Sequence, residues 1–416
     1  MPVPHTGLDK LPSVLAEIES GISESLHRGA QLYAFRHGEV LANAAAGWAR
    51  KGVEMRPDSV NLWLSAGKPV TSVAIAMLRE RGEIDIDTPV AHYIPEFGVN
   101  GKNGITVRHV LTHTGGFIEA ELADRLESRE KIVAAICESP LAANWTPGER
   151  AAYQPTAGWH VLGELVLRVT GKPIEHFTAQ EILQPLGMTD ASLAWSNSLP
   201  PEGEGQDGGG ARRGGPTSPI ARWGEPISPL SLGERARVRE KPVPAISPDR
   251  WSPMHRVTPG GELEPHPAYT VGATGSFARP GGSFRAPASS LARLYEMLLN
   301  GGELGGARLL TEDSVRDMTA RHREGLVDET FGVKMDWGLG VIPNNNRYGP
   351  AIPYGYGPHA SDSAFGHGGS MSSTGFADPT HGLAVALVFN GMPGHPKHDR
   401  RMRRTLTALY EDLGLA

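Results

Sequence analysis

Ser65-Ala66-Gly67-Lys68 is the first group in this sequence whose types and spacing suit chemistry. A serine hydroxyl is a weak nucleophile until a neighbouring base takes its proton. If Ser65 opens a helix, Lys68 falls one turn later on the same face, within reach of the hydroxyl. The helix N-terminus would also bring backbone N–H groups near a developing oxyanion. Pro69 fits the first turn of a helix and not its middle, which supports that placement. Chance supplies roughly one Ser-x-x-Lys in a chain this long. A second does occur, Ser128-Arg129-Glu130-Lys131, in a charged stretch, and it is read as the decoy.

Tyr153 follows the turn-forming stretch Trp145-Thr146-Pro147-Gly148-Glu149-Arg150 and precedes a helical pattern. A phenolate serves as a general base when a nearby ammonium lowers its pKa. The competing reading is a tyrosine packed at a helix start. Further on stands Gly366-His367-Gly368-Gly369-Ser370, followed by Thr374-Gly375-Phe376-Ala377-Asp378-Pro379. Glycines beside a polar side chain on a strand let a substrate approach the backbone closely. The Ser370 amide would be a second oxyanion donor, and His367 would hydrogen-bond the substrate or Tyr153. Its competing reading is a surface-loop histidine.

These groups need elements to hold them. Leu11, Val14, Leu15, Ile18, Ile22 and Leu26 recur at helical spacing, and Gly29 can stop that helix. Residues 30–36 and 39–46 flank His37-Gly38 as a hairpin. Residues 68–81 read as an apolar helix ending at Gly82, and further helices are expected at 158–170, 173–184 and 288–300. Thr374 to Ala377 and Leu383 to Phe389 flank a turn at Asp378-Pro379-Thr380-His381-Gly382, and a last helix spans about 398–413. Strands at both ends with helices between them imply an α/β (α+β) chain. One sheet is built from both termini, and a mostly helical region is inserted between. The whole chain reads as one unit. Residues 10–67 and about 265–413 carry the sheet, and about 68–197 are mostly helical.

The chain has 416 residues, a net charge of −6, 39% hydrophobic and 21% charged residues. That balance suits a globular enzyme and gives no basic excess for a nucleic-acid or anionic-membrane partner. The longest apolar stretch, Leu383 to Phe389, is far too short to span a bilayer. No signal peptide is read at the N-terminus, and Cys137 is the only cysteine, so a cytoplasmic location is expected. Between Pro201 and Glu240, nine Gly, five Pro and twelve charged residues leave almost no apolar pattern. About 200–245 is therefore expected to be a disordered low-complexity insertion.

The order Ser-x-x-Lys, then a tyrosine, then a Gly-rich strand resembles the serine β-lactamase and penicillin-binding clan. The likeness is greatest to its class C branch, with the family VIII carboxylesterases and related serine hydrolases. Ile105 to Gly116, Gly171 to Thr189, Gly281-Gly282-Ser283-Phe284 with Leu291-Ala292-Arg293, and Met297 to Gly302 also resemble that clan, in family order. The resemblance covers roughly residues 10–413 apart from the insertion. It implies the β-lactamase/transpeptidase fold and an acyl-enzyme mechanism. Ser65 would attack a carbonyl, Lys68 and Tyr153 would shuttle its proton, and the amides of Ser65 and Ser370 would hold the oxyanion. His367, Gly368 and Gly369 would line the substrate path. No metal or organic cofactor is implied, and the partner is a small ester or amide.

Two departures tilt the reading toward esters. The family often has Tyr-x-Asn, whose carboxamide contacts the lysine and the substrate amide; here the triplet is Tyr153-Gln154-Pro155. Its third motif is often Lys-Thr-Gly; here it is His-Gly-Gly, and imidazole is mostly neutral near pH 7. A small-ester carboxylesterase is therefore expected. The alternatives are a β-lactamase or D-amino-acid peptidase with the same nucleophile, and a non-catalytic ligand-binding relative. His109 and His113 have helical metal-ligand spacing but are read as hydrogen-bonded at a helix end. Phe331 to Gly340 would line the acyl pocket with Trp337 near the substrate, or Trp337 is an ordinary buried tryptophan. Tyr348, Tyr354 and Tyr356 would shape the pocket mouth or cover the sheet edge. Oligomeric state is not legible.

Overall fold

The structure is a computed structural model that describes residues 3–125, 128–193, 250–269, 278–350 and 352–416. The insertion expected at about 200–245 lies outside the described residues. The main sheet takes its strands from both ends of the chain. These are β1 (His5–Thr6), β2 (Gly29–Arg36), β3 (Glu39–Arg50), β4 (Val53–Glu54), β5 (Ile342–Pro343), β6 (Phe365–Gly369), β7 (Ser373–Asp378) and β8 (Leu383–Phe389). Their order is β1-β3-β2-β8-β7-β6-β5, with β4 paired on β3. Every pairing in this sheet is antiparallel. The central seam joins the N- and C-terminal halves, with Leu383 opposite Arg36 and Phe389 opposite Ala30. The β2–β3 hairpin turns at His37-Gly38, both with positive φ, which matches the right-handed twist of the strands it joins.

Helices cover both faces. They are α1 (Pro12–Ser23), α2 (Lys68–Glu80), α3 (Val107–Leu111), α4 (Arg129–Glu138), α5 (Ala157–Thr170), α6 (Ala288–Leu299) and α7 (His395–Asp412). Strand alternation divides the core in two. Leu383, Val385, Leu387 and Phe389 join Val14, Ile18, Met402, Leu406 and Leu409 under α1 and α7. Ala384, Ala386 and Val388 face the other way, into a larger core with Val70, Val73, Leu291, Leu294 and Tyr295. A period of two thus sends one apolar run into two cores. The small residues 384 and 386 leave room for α6 to lie on the strand.

The segment expected as one helix at 173–184 is an α-helical turn, Ile174–Thr178, continuing as a π turn, Ala179–Leu183. Among the described residues no helix is long and apolar enough to cross a membrane.

Candidate active site

Ser65 does not open an α-helix. It sits in a 3-10 turn, Leu64–Gly67, that runs directly into α2 at Lys68. Just before the turn, Asn61–Leu62 pairs with Arg285–Ala286, and the Trp63 indole N–H donates to the Ala286 carbonyl at 3.0 Å. Leu64 is held at φ 52°, a left-handed conformation that costs a branched residue about 1–3 kcal/mol. The surrounding contacts over-determine it. Trp63 stacks on Phe284, and the Ser373 hydroxyl donates to the Trp63 carbonyl at 2.6 Å. The strain buys a sharp turn that presents Ser65 at the head of α2.

Two groups meet the Ser65 hydroxyl. Lys68 Nζ lies 3.0 Å from Ser65 Oγ, and Tyr153 Oη lies 3.0 Å from it. Lys68 is fully buried and also donates to the carbonyls of Pro155 at 2.7 Å and Gly281 at 2.5 Å. A neutral amine has two N–H groups and one lone pair. A neutral Lys68 that gave both N–H groups to the carbonyls would turn its lone pair to Ser65, whereas the charged form donates to all three oxygens. Pro155 offers no side-chain donor, yet its main chain supplies an acceptor for the lysine. Gly281 is required there, since a Cβ would stand 2.7 Å from the Pro155 oxygen.

Tyr153 is fixed from three sides. Its amide donates to Asp328 Oδ1 at 3.0 Å, and its carbonyl accepts from the Thr330 hydroxyl at 3.0 Å. The flanking amides of Ala152 and Gln154 donate to the carbonyl and Nδ1 of His113. Asp328 is itself paired with Arg323 at 3.0 Å, both nearly solvent-free. On the other side, Glu121 accepts from the amides of Thr156 and Ala157. It thereby closes the N-terminus of α5 and fixes the direction of the Pro155 carbonyl.

The expected phenolate does not form readily. Burial, then the neighbouring Tyr354, pushes the Tyr153 pKa well above 10. Desolvation disfavours the charged phenolate. Tyr153 is therefore a neutral hydroxyl, a donor or relay rather than a standing base.

His367 is fully buried. Its Nδ1 lies 2.7 Å from the Gly368 carbonyl, so Nδ1 carries the proton and Nε2 a lone pair, with no partner among the described residues. Burial and then Lys68 push its pKa down to about 3. It has no hydrogen bond to Tyr153, only a tilted ring contact at 6.2 Å. It is an uncharged wall behind the lysine. Gly368 and Gly369 lie on β6, and the strand end packs on the Leu64–Gly67 turn. A Cβ on Gly369 would meet the Trp63 carbonyl at 2.2 Å and Leu64 Cβ at 3.3 Å. Ser370 follows at once, in the turn before Met371.

Trp337 is buried without exposure. It backs the Tyr153 ring at 5.6 Å and the His113 ring at 4.7 Å, so it supports the tyrosine instead of facing a substrate. The three loop tyrosines separate. Tyr348 donates to Asp336, and Tyr356 stacks on Phe376 across the sheet face. Tyr354 alone reaches the site, its ring 6.1 Å from that of Tyr153. Its φ is 58°. Sequence reading grouped it with Tyr348 and Tyr356 at the pocket mouth, named Gly281 only within a family segment, and gave Asp328 and Glu121 no place.

His109 and His113 diverge despite their spacing. His109 Nδ1 accepts from the Thr106 amide in the cap of α3, while His113 turns inward to Gln154. Among the described residues no group of three His, Cys, Asp or Glu could hold a metal. Ser128 caps α4, its hydroxyl accepting from the Lys131 amide at 3.3 Å.

Residues 16–409 match the beta-lactamase family model. The chain is 29% identical over 375 residues to the esterase/beta-lactamase LipL of Mycobacterium tuberculosis, covering 87% of this chain and 77% of that protein. It is 27% identical over 412 residues to the esterase EstB of Burkholderia gladioli, covering 92% and 93%. A crystal structure of a family VIII carboxylesterase superposes with a TM-score of 0.70 at 22% identity, covering 99% of this chain and all of that one.

Proposed function

The chain belongs to the beta-lactamase family and is a serine hydrolase; within that family we propose a carboxylesterase of small esters whose nucleophile is Ser65. One observation carries the assignment. Ser65 Oγ has a lysine amine and a tyrosine hydroxyl each at 3.0 Å, and the amine also meets two backbone carbonyls.

The proton path follows from those contacts. Neutral Lys68 takes the Ser65 proton as Oγ bonds to the substrate carbonyl carbon. The amides of Ser65 and Ser370 hold the oxyanion. Tyr153, protonated at rest, gives its proton to the leaving alkoxide as the C–O bond breaks, and recovers one from the Lys68 ammonium. Water then attacks the acyl-enzyme by the same relay in reverse, releasing the acid and free Ser65. The neutral His367 supports esters over β-lactams and D-peptides, because it supplies no cation for a substrate carboxylate. The relatives named as esterases point the same way.

The test is a paired assay of the protein and its Ser65→Ala variant. Each receives a p-nitrophenyl short-chain ester and a chromogenic cephalosporin. Ester turnover lost in the variant supports the reading. Cephalosporin turnover of comparable efficiency would move the assignment to amide hydrolysis through the same serine. Undiminished ester turnover in Ser65→Ala would sink it.

A further inference from the structure

A chamber of about 610 Å³ lies beside the catalytic cluster, and Ser65 is not among its walls. Its inner end is formed by Tyr354, Phe331, Gly368 and Thr374, and its middle by Ile352 and Met402. Its mouth opens along one face of α7, where His395, Asp399 and Arg403 stand a turn apart and exposed. The lining is mostly apolar and the rim charged. Tyr354 is the wall shared with the active site. Its ring lies 6.1 Å from that of Tyr153 and 5.5 Å from that of His367, and it covers Gly368 so closely that a Cβ there would meet it at 2.2 Å.

One buried polar group of this lining lacks a partner among the described residues. Thr374, opposite Gly368 in the β6–β7 ladder, is 2% exposed and lines the chamber. Its hydroxyl has no hydrogen-bond partner among the described residues. A buried hydroxyl without a partner is costly, so the fold keeps in reserve a hydrogen bond that a ligand can complete.

The chemistry of the relay says which half of a substrate the chamber faces. The leaving oxygen must lie within hydrogen-bond reach of the group that protonates it. On the reading above that group is Tyr153, and the chamber wall Tyr354 has its ring 6.1 Å from that of Tyr153. We propose that this chamber receives the alcohol half of the ester. It takes an aromatic or branched apolar alcohol carrying one oxygen that pairs with the Thr374 hydroxyl, its chain passing the edge of Tyr354. The inference rests on the ester-hydrolase reading and adds the substrate class to it.

The test holds the acyl group constant and varies the alcohol. Methyl, benzyl and 2-phenoxyethyl butyrate are compared by acid release at constant pH. Met402→Trp, which fills the middle of the chamber, should lower kcat/KM about tenfold or more for the two aromatic esters and leave methyl butyrate within twofold. Ile352→Trp fills it from the opposite wall and carries the same expectation if Met402→Trp does not fold. Thr374→Val should cost about fivefold for the phenoxyethyl ester and little for the benzyl ester, which lacks the extra oxygen. Equal losses on all three esters would overturn the proposal. So would a changed preference among methyl esters of different acyl length, which would put the acyl half in the chamber. If no ester is turned over, the ester reading fails, and calorimetric titration with free 2-phenoxyethanol decides the chamber alone. Binding that Met402→Trp abolishes supports it, and absence of binding to the unmodified protein overturns it.

Discussion

The chain holds two Ser-x-x-Lys segments of the same length, and the fold puts them to different uses. At Ser128 the serine is a helix cap. Its hydroxyl accepts an amide hydrogen, and Lys131 follows on an exposed first turn of α4. At Ser65 the turn is 3-10, the residue before it is strained, and Lys68 is drawn under two carbonyls from distant parts of the chain. The difference lies not in the four letters but in what closes over them. The Ser128 hydroxyl goes to the backbone, whereas the Ser65 hydroxyl, beneath a strand end, meets a lysine amine and a tyrosine hydroxyl.

The largest effect that would break this contrast is on turnover. Ser65→Ala should lower kcat by about 10⁴-fold or more, while Ser128→Ala leaves it within twofold. Lys68→Met and Tyr153→Phe should each cost about 10²–10⁴-fold, and the double variant little more than the worse single one, because they act as one relay. Additive losses in that cycle would separate their roles.

The next effect concerns what holds Tyr153. Asp328→Ala leaves Arg323 buried without its partner and should destabilise the fold by about 3–5 kcal/mol, read from denaturant midpoints. No such cost is expected at α4, where the ion pair Arg129–Glu130 is exposed enough to be worth little.

A pH effect is smaller. His367 has its folded pKa depressed to about 3 from an unfolded value near 6.5. Below about pH 6.5 the unfolded chain binds the extra proton and the folded one does not. Stability is therefore full above that pH and falls toward about pH 3, by up to about 1.4 kcal/mol per pH unit for this group. His367→Gln should flatten that slope in urea titrations at pH 4–6. An unchanged slope would mean that the other buried histidines, His27, His113, His255 and His398, account for it. The smallest effect returns to the decoy. Ser128→Ala should cost about 1 kcal/mol of stability through the lost cap and nothing in turnover.

Much of this was legible beforehand. The hairpin at His37-Gly38, the alternation over 383–389 and the pairing of Ser65 with Lys68 all leave marks in residue type and spacing. The carbonyls of Pro155 and Gly281 leave none, since any residue has a carbonyl and only the fold decides where it points. Tyr153 was read as a phenolate base beside an ammonium, whereas its burial pushes the pKa up, because the spacing of a motif carries no depth of burial. Tyr354 was named with its neighbours but not singled out, for a third reason. It shares a Gly/Pro-rich loop with two other tyrosines, and only a positive φ, invisible in the letters, turns it toward the site. Trp337 was given two readings, and the one without a direct substrate contact agrees with its burial.

The pairing of β2 with β8 has a consequence for how the protein is made. Arg36 leaves the ribosome roughly 350 residues before its partner Leu383, which at about 5–20 residues per second is a wait of tens of seconds. Throughout that interval the first hairpin has an unpaired, almost wholly apolar edge strand. Closure of the sheet thus waits for the synthesis of β8, and the nascent chain offers a sticky edge for longer than a protein whose neighbouring strands are neighbours in sequence.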